Sequence, residues 1–150
     1  MRGFTLLEMI VVLVVASLIA AVVVPSFQPA IGGMQLRSAA QDVASALRHV
    51  RGLALATGRE QTFFLNVTHH WYRVSGRKKP YSLPGSVKLD LFTADQEQTE
   101  DGQGGAIRFY PDGSATGGRV TLSAGARKFK VDVNWLTGNI AIRNDDRDDA

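Results

Sequence analysis

The segment Phe4-Thr5-Leu6-Leu7-Glu8-Met9-Ile10-Val11-Val12-Leu13-Val14-Val15-Ala16-Ser17-Leu18-Ile19-Ala20-Ala21-Val22-Val23-Val24 decides how this chain is read. Eighteen of its 21 residues are hydrophobic and Glu8 is its single charge, whereas the other 129 residues are 38% hydrophobic. The whole-chain figures, 45% hydrophobic and 21% charged over 150 residues, would describe one ordinary globular domain. The average misleads, because the apolar residues are concentrated at one end. The chain reads as a greasy N-terminal rod joined to a polar, strand-rich body of about 115 residues. That division excludes a cytosolic enzyme with its core spread along the whole sequence, and it excludes two large domains.

At about 1.5 Å per residue, a helix over 4–24 would be about 31 Å long, matching an apolar bilayer core of about 30 Å. The β-branched residues within it do not oppose a helix, since in lipid a single segment can bond its own backbone only as a helix. Arg2 precedes the run and no base follows until Arg37. The positive-inside bias therefore puts the N-terminus in the cytoplasm and the body across the membrane. A secretory signal peptide is also basic and then apolar, but this run exceeds the roughly 7–15 residues of its apolar region and no clear Ala-x-Ala site follows. A plain anchor would leave Glu8 unexplained. A carboxylate inside a membrane segment is costly and usually has a partner, although near a helix N-terminus it is mildly favourable.

Met1-Arg2-Gly3-Phe4-Thr5-Leu6-Leu7-Glu8 resembles the class III signal of type IV pilins and pseudopilins. In that family a short basic leader ends in glycine, and cleavage falls before a phenylalanine. A glutamate stands fifth in the mature chain, as Glu8 does counted from Phe4. The resemblance implies that a prepilin peptidase cuts between Gly3 and Phe4 and then N-methylates Phe4. It also implies that Glu8 pairs with a terminal ammonium in a growing filament. The chemistry agrees, because cleavage creates a cationic amine and Glu8 is the one side-chain anion in the segment able to neutralise it.

Beyond the rod, Pro25, Pro29 and Gly32-Gly33 predict a kink or linker over 25–34. A second helix follows over about 35–57. Its apolar stripe is Leu36, Ala40, Val43, Leu47, Val50 and Ala54, with Arg37, Gln41, Arg48 and Arg51 largely off it, and it ends near Gly58. From Gln61 the period becomes two. The strands expected are 61–67, 71–75, 87–92, 106–110, 119–123, 128–135 and 138–143, separated by turn residues such as Pro111-Asp112-Gly113-Ser114 and Thr137-Gly138-Asn139. In Phe129-Lys130-Val131-Asp132-Val133-Asn134-Trp135 the odd positions would face a core. With no helix between them the strands should be antiparallel. The fold class is α+β: a long N-terminal helix, membrane-spanning in its first half, packed on one or two antiparallel sheets in the pilin-like manner. The globular domain is set at 35–144, followed by an acidic tail at 145–150.

A second resemblance lies in the body. Ile107-Arg108-Phe109-Tyr110-Pro111-Asp112-Gly113-Ser114-Ala115-Thr116-Gly117-Gly118, with Val131-Asp132-Val133-Asn134-Trp135-Leu136-Thr137-Gly138, is similar to the GspH/FimT group of minor pseudopilins. Within that group the chain looks closer to the type II secretion member than to the type IV pilus member. These motifs read as structural, shaping loops rather than building a catalyst.

The absence of cysteine excludes disulfides, thiolate metal sites and a cysteine nucleophile. No catalytic constellation emerges, so the chain does not read as an enzyme, and no cofactor is implied. His49, and His69-His70 in a turn, are its three histidines. Asp95, Glu97, Glu100 and Asp101 could offer oxygens to calcium, although their spacing is not an EF-hand and a mobile solvated loop is the plainer reading. Arg73, Arg77, Lys78 and Lys79, interleaved with Trp71, Tyr72 and Tyr81, combine stacking with phosphate contact as nucleic-acid sites do. Trp71 and Tyr72 also read as ordinary strand residues. The net charge of +3 divides into a basic body and a tail holding Asp145, Asp146, Asp148 and Asp149. DNA-binding pilus members of the group carry a basic Gly-Arg-x-Arg-type strand. Gly138-Asn139-Ile140-Ala141-Ile142-Arg143 lacks the paired arginines, and the four aspartates would repel phosphate.

These resemblances imply a minor pseudopilin of a type II secretion system, anchored in the inner membrane with its body in the periplasm. Its partners would be the prepilin peptidase, other minor and major pseudopilins, and secreted substrate or the outer-membrane secretin. The alternative is a minor type IV pilin that binds DNA for uptake in transformation.

Overall fold

A computed structural model describes residues 5–26 and 28–145, with side chains through Ala21 and again from Gly32. The chain divides into two units, Met1–Gly32 and Gly33–Ala150.

In the first unit, Leu6–Ser26 form helix α1. Thr5 caps it: its Oγ1 accepts the Glu8 N–H at 3.3 Å, and its carbonyl accepts the Met9 N–H at 3.2 Å. Every described side chain of α1 is exposed. A helix that is apolar on all sides needs apolar surroundings, and the described side chains find no such cover within their own unit. With those side chains described only to Ala21, no helix among the described residues is long and apolar enough to cross a membrane.

Helix α2 spans Gln28–Thr57, starting earlier than the expected residue 35. Pro29 falls in its first turn, where a missing N–H forfeits no intrahelical bond. Gly32 and Gly33 cost a helix about 1 kcal/mol each without ending it. From Gly33 onward α2 belongs to the second unit.

Among its described residues that unit holds eight strands: β1 Gln61–Asn66, β2 Trp71–Val74, β3 Tyr81–Ser82, β4 Lys88–Thr93, β5 Gly104–Phe109, β6 Gly118–Ala124, β7 Arg127–Val133 and β8 Ile140–Asn144. They form two four-stranded sheets, ordered β3-β2-β1-β5 and β4-β6-β7-β8, with every pairing antiparallel. The stripe expected on α2 is fully buried from Leu36 to Ala54, joined by Ala39 and Ala44. It meets Phe63 and Leu65 of β1, Ile107 and Phe109 of β5, Val120 and Leu122 of β6, and Val131 and Val133 of β7 in one core cluster. Period-two burial thus turns one face of each sheet toward the helix stripe. The sheets are also stitched together at the end of β4, where the Thr93 hydroxyl donates to the Ala106 carbonyl at 2.6 Å.

Three expectations need correction. Trp135 does not face the core but is 65% exposed. β7 stops at Val133 because Asn134 Oδ1 accepts the N–H groups of Leu136 and Thr137, both at 3.0 Å, and turns the chain out of the alternation. β3 was not expected: two residues between Pro80 and Pro84 carry no period. The acidic stretch after Thr93 is not a bare loop either, since it contains a single 3-10 turn, Asp95–Glu97, and β5 begins at Gly104.

The tail's first acid is tied down. Asp145 accepts from Lys130 Nζ at 2.9 Å and lies 4.0 Å from Lys128 Nζ, and the Lys130 hydrogen bond holds its carboxyl below the ordinary carboxylate value. A depressed folded value stabilises above the unfolded value and is lost as pH falls through the folded one. The amide-exchange protection factor at the end of β8 should therefore fall at acid pH, and Asp145→Asn should remove that pH dependence. An Asp145→Asn variant that keeps the wild-type acid profile would contradict this assignment.

Candidate functional site

The processing residues Gly3 and Phe4 lie outside the described residues, as do Asp146, Asp148 and Asp149 of the tail. Glu8 stands in the first turn of α1, exposed. Thr5 and Glu8 occupy the first and fourth positions of a capping-box pattern. The Thr5 hydroxyl takes up one otherwise unsatisfied N–H of the helix start, that of Glu8 itself. Among the described residues no side chain pairs with the Glu8 carboxylate. The result is one anionic group on an exposed, wholly apolar helix end, the arrangement a neighbouring cation would recognise once water is excluded.

The body's motifs converge on a residue that sequence reading left off the helix stripe. Arg51 of α2 donates through Nε to the Gly113 carbonyl at 3.2 Å and through Nη2 to the Thr137 carbonyl at 3.1 Å. Its guanidinium therefore clamps the Pro111–Ser114 turn to the Asn134–Gly138 turn. Asp112 shapes the first turn by accepting from the Ser114 hydroxyl at 2.6 Å and its N–H at 2.9 Å, and those bonds hold its carboxyl below the usual value. One flank away, Arg48 reaches the Ile140 carbonyl at 3.5 Å. The available signal was the pair Arg48 and Arg51, three residues apart on one side of a buried stripe.

The calcium candidates do not converge. Glu97 receives Arg108 Nε at 2.8 Å and Nη2 at 3.5 Å, and Arg108 also holds Glu60 at 3.0 Å. These carboxylates hold the guanidinium above its ordinary value, the Glu97 bond first. Asp101 turns inward on its own loop, accepting the Gln103 N–H at 3.0 Å, and Thr99 chiefly lowers its carboxyl. Among the described residues no group of three or more His, Asp or Glu side chains is placed to hold a metal ion. His69 faces Asn66 Oδ1 at 3.1 Å, while His70, at φ 53°, donates from Nε2 to the Val87 carbonyl at 2.9 Å. The two rings are separately engaged.

The basic cluster is brought together only in part. Arg73 is exposed on β2, and Arg77, Lys78 and Lys79 are exposed in the β2–β3 connection. The aromatic residues beside them are occupied with one another. Trp71 packs on Phe64 at 5.4 Å, while Tyr72 is stacked between Phe63 at 5.4 Å and Tyr81 at 5.2 Å. Burial raises the Tyr72 phenol above its usual value, and Arg77 donates to the Tyr81 hydroxyl. Each of these rings already has an aromatic neighbour on that sheet.

An apolar N-terminal helix with a single anion in its first turn, and a second helix packed on two antiparallel sheets, define the class of pilin-like proteins. The fold matches the minor pseudopilin EpsH of the Vibrio cholerae type 2 secretion system, with a TM-score of 0.58 and 10% identity over 73% of this chain and 97% of that one. It also matches the Pseudomonas aeruginosa type IV minor pilin FimU, with a TM-score of 0.54 and 9% identity over 72% and 87%. Residues 39–138 match the family of the type II transport protein GspH, and residues 1–24 match the prokaryotic N-terminal methylation motif. The chain is 35% identical over 140 residues to the type II secretion system protein H of Xanthomonas campestris pv. campestris, covering 93% of this chain and 82% of that one. It belongs to the GspH family and is a minor pseudopilin of type II secretion. Nothing in the structure or in these relationships favours the DNA-uptake reading.

Proposed function

We propose that the chain is cut between Gly3 and Phe4, methylated at Phe4, and anchored in the inner membrane through residues 4–24 with its body in the periplasm. From there it joins the periplasmic pseudopilus, in a complex near the tip with other minor pseudopilins, and helps to export protein across the outer membrane. It acts as a structural part and not as a catalyst. The observation that carries this reading is Glu8, a lone exposed carboxylate at the start of an exposed apolar helix. Lipid would cover that helix first and neighbouring subunits later, and in either dry setting Glu8 needs a cation. The new terminal amine of a neighbour is that cation, so one ion pair sets how far each helix slides past the next. The secreted substrate or the outer-membrane secretin would then meet the sheet-bearing body.

Glu8→Ala should insert into the membrane as the wild type does but enter the pseudopilus about a hundredfold less, because one buried charge is left without its partner. Copurification with affinity-tagged pseudopilins reads this out, and membrane fractionation reads insertion separately. Wild-type incorporation of Glu8→Ala would overturn the assigned role.

A further inference from the structure

On the second sheet a groove of about 390 Å³ lies between Phe92 at the end of β4 and Trp135 just past β7, floored by Gly117 and Gly118. Phe92 is 72% exposed, Trp135 65%, and Leu136 beside it 63%. Isolated apolar side chains are common on soluble surfaces, but large ones gathered around one depression mark an interaction site. These side chains stand outside the core cluster. Phe92 pairs across the strands with Arg119 on the face away from the core, and Trp135 has left the strand alternation.

The floor is bare backbone. A Cβ on Gly117 would lie 2.9 Å from that of Trp135, and one on Gly118, at φ 151°, would lie 2.7 Å from the Phe92 carbonyl oxygen. Glycine at both positions lets the chain pack against itself there, holding Trp135 and the end of β4 on either side of the groove. The chemistry of the lining selects what enters. Asp95 is the one charged residue lining the groove, and among the described residues no cation pairs with its carboxylate. Arg119, opposite Phe92 across the strands, is paired with Asp132, which also takes Arg143 Nε at 3.3 Å. Beside the Asp95 carboxylate the lining side chains offer only two hydroxyls, and both are already bonded: that of Thr93 donates to Ala106, and that of Thr116 accepts the Arg108 N–H at 3.1 Å. A sugar would need several free hydrogen-bonding side chains here. A cation on an aliphatic stem needs an aromatic face, an apolar wall and one carboxylate, and the groove offers these.

We propose that this groove receives an extended segment of a partner protein bearing a lysine or arginine, the cationic head held between Trp135 and Asp95 and the stem lying against Phe92. The site uses none of the residues assigned to processing or filament packing, so it stands or falls apart from those roles.

Isothermal titration of the full-length chain in a polyoxyethylene detergent, with acetyl-Lys-Val-Lys-Val-Lys-amide as the probe, tests this. The peptide should bind saturably and more weakly as salt rises, while its glutamate counterpart and chitohexaose give no heat. Trp135→Ala and Phe92→Ala should each weaken binding about tenfold. Asp95→Asn should weaken it about fivefold and flatten the salt dependence. Circular dichroism like that of the wild type would show that the variants are folded, and Asp95→Asn, a surface change, keeps the test decisive if an aromatic variant is not. Failure of the lysine peptide to bind, equal binding to Asp95→Asn, or binding of chitohexaose in its place would each overturn the proposal.

Discussion

Gly138→Ala is expected to destabilise the body by about 3–5 kcal/mol, a large part of the 5–15 kcal/mol that holds a typical domain together. Gly138 has φ 63°, and a side chain in that left-handed region costs about 1–2 kcal/mol. The larger part is steric. An added Cβ would overlap the Gly113 carbonyl oxygen and come within 2.9 Å of Arg51 Nε. That oxygen and that nitrogen bond each other at 3.2 Å, so the methyl group would prise open the clamp between the two turns. Losing a hydrogen bond from a charged donor adds about 1.5–3 kcal/mol. Gly125→Ala is the control, for its φ is 61° but nothing lies within 4 Å of the added atom. It should cost only the conformational part. Urea unfolding of the full-length chain in detergent micelles measures both, and equal losses in the two variants would refute the steric clamp.

The same clamp shows where sequence reading reaches its limit. The helix stripe was legible because Leu36 to Ala54 recur at helical spacing, and the inward positions of β7 were legible through Val131 and Val133, because burial on one face leaves a period in the letters. Arg51 leaves no such trace. Its partners are backbone carbonyls 62 and 86 residues away, and a carbonyl has no letter of its own. Glu97 could be read as an acid available to a cation, and the cation it meets is Arg108, brought there by the pairing of β5. Trp135 was misread because Asn134 ends the strand through its side chain, a local competition that alternation alone does not report. Glu8 is the opposite case: one carboxylate in an apolar run is conspicuous in the letters and needs no tertiary context to stand out.

Two phenylalanines should respond oppositely to the same change. Phe63 of β1 is fully buried and heads a row of stacked rings, with Tyr72 at 5.4 Å and Tyr81 a further 5.2 Å beyond. Phe63→Ala leaves a void under the helix stripe that close-packed neighbours refill only partly, at a cost of about 3–5 kcal/mol. Loss of the ring contact to Tyr72 adds about 0.5–1.5 kcal/mol. The damage should spread along the row to β3, which at two residues has little else to hold it. Phe63→Leu, which refills most of the volume, should recover much of the loss. Phe92 lies 72% exposed on the other sheet, and Phe92→Ala should change stability by no more than about 0.5 kcal/mol. The comparison decides whether Phe92 is a structural residue. A loss at Phe92 near that at Phe63 would show that folding requires it. A near-zero loss leaves a large aromatic ring at the surface with no folding role, which is the condition for its service to a partner.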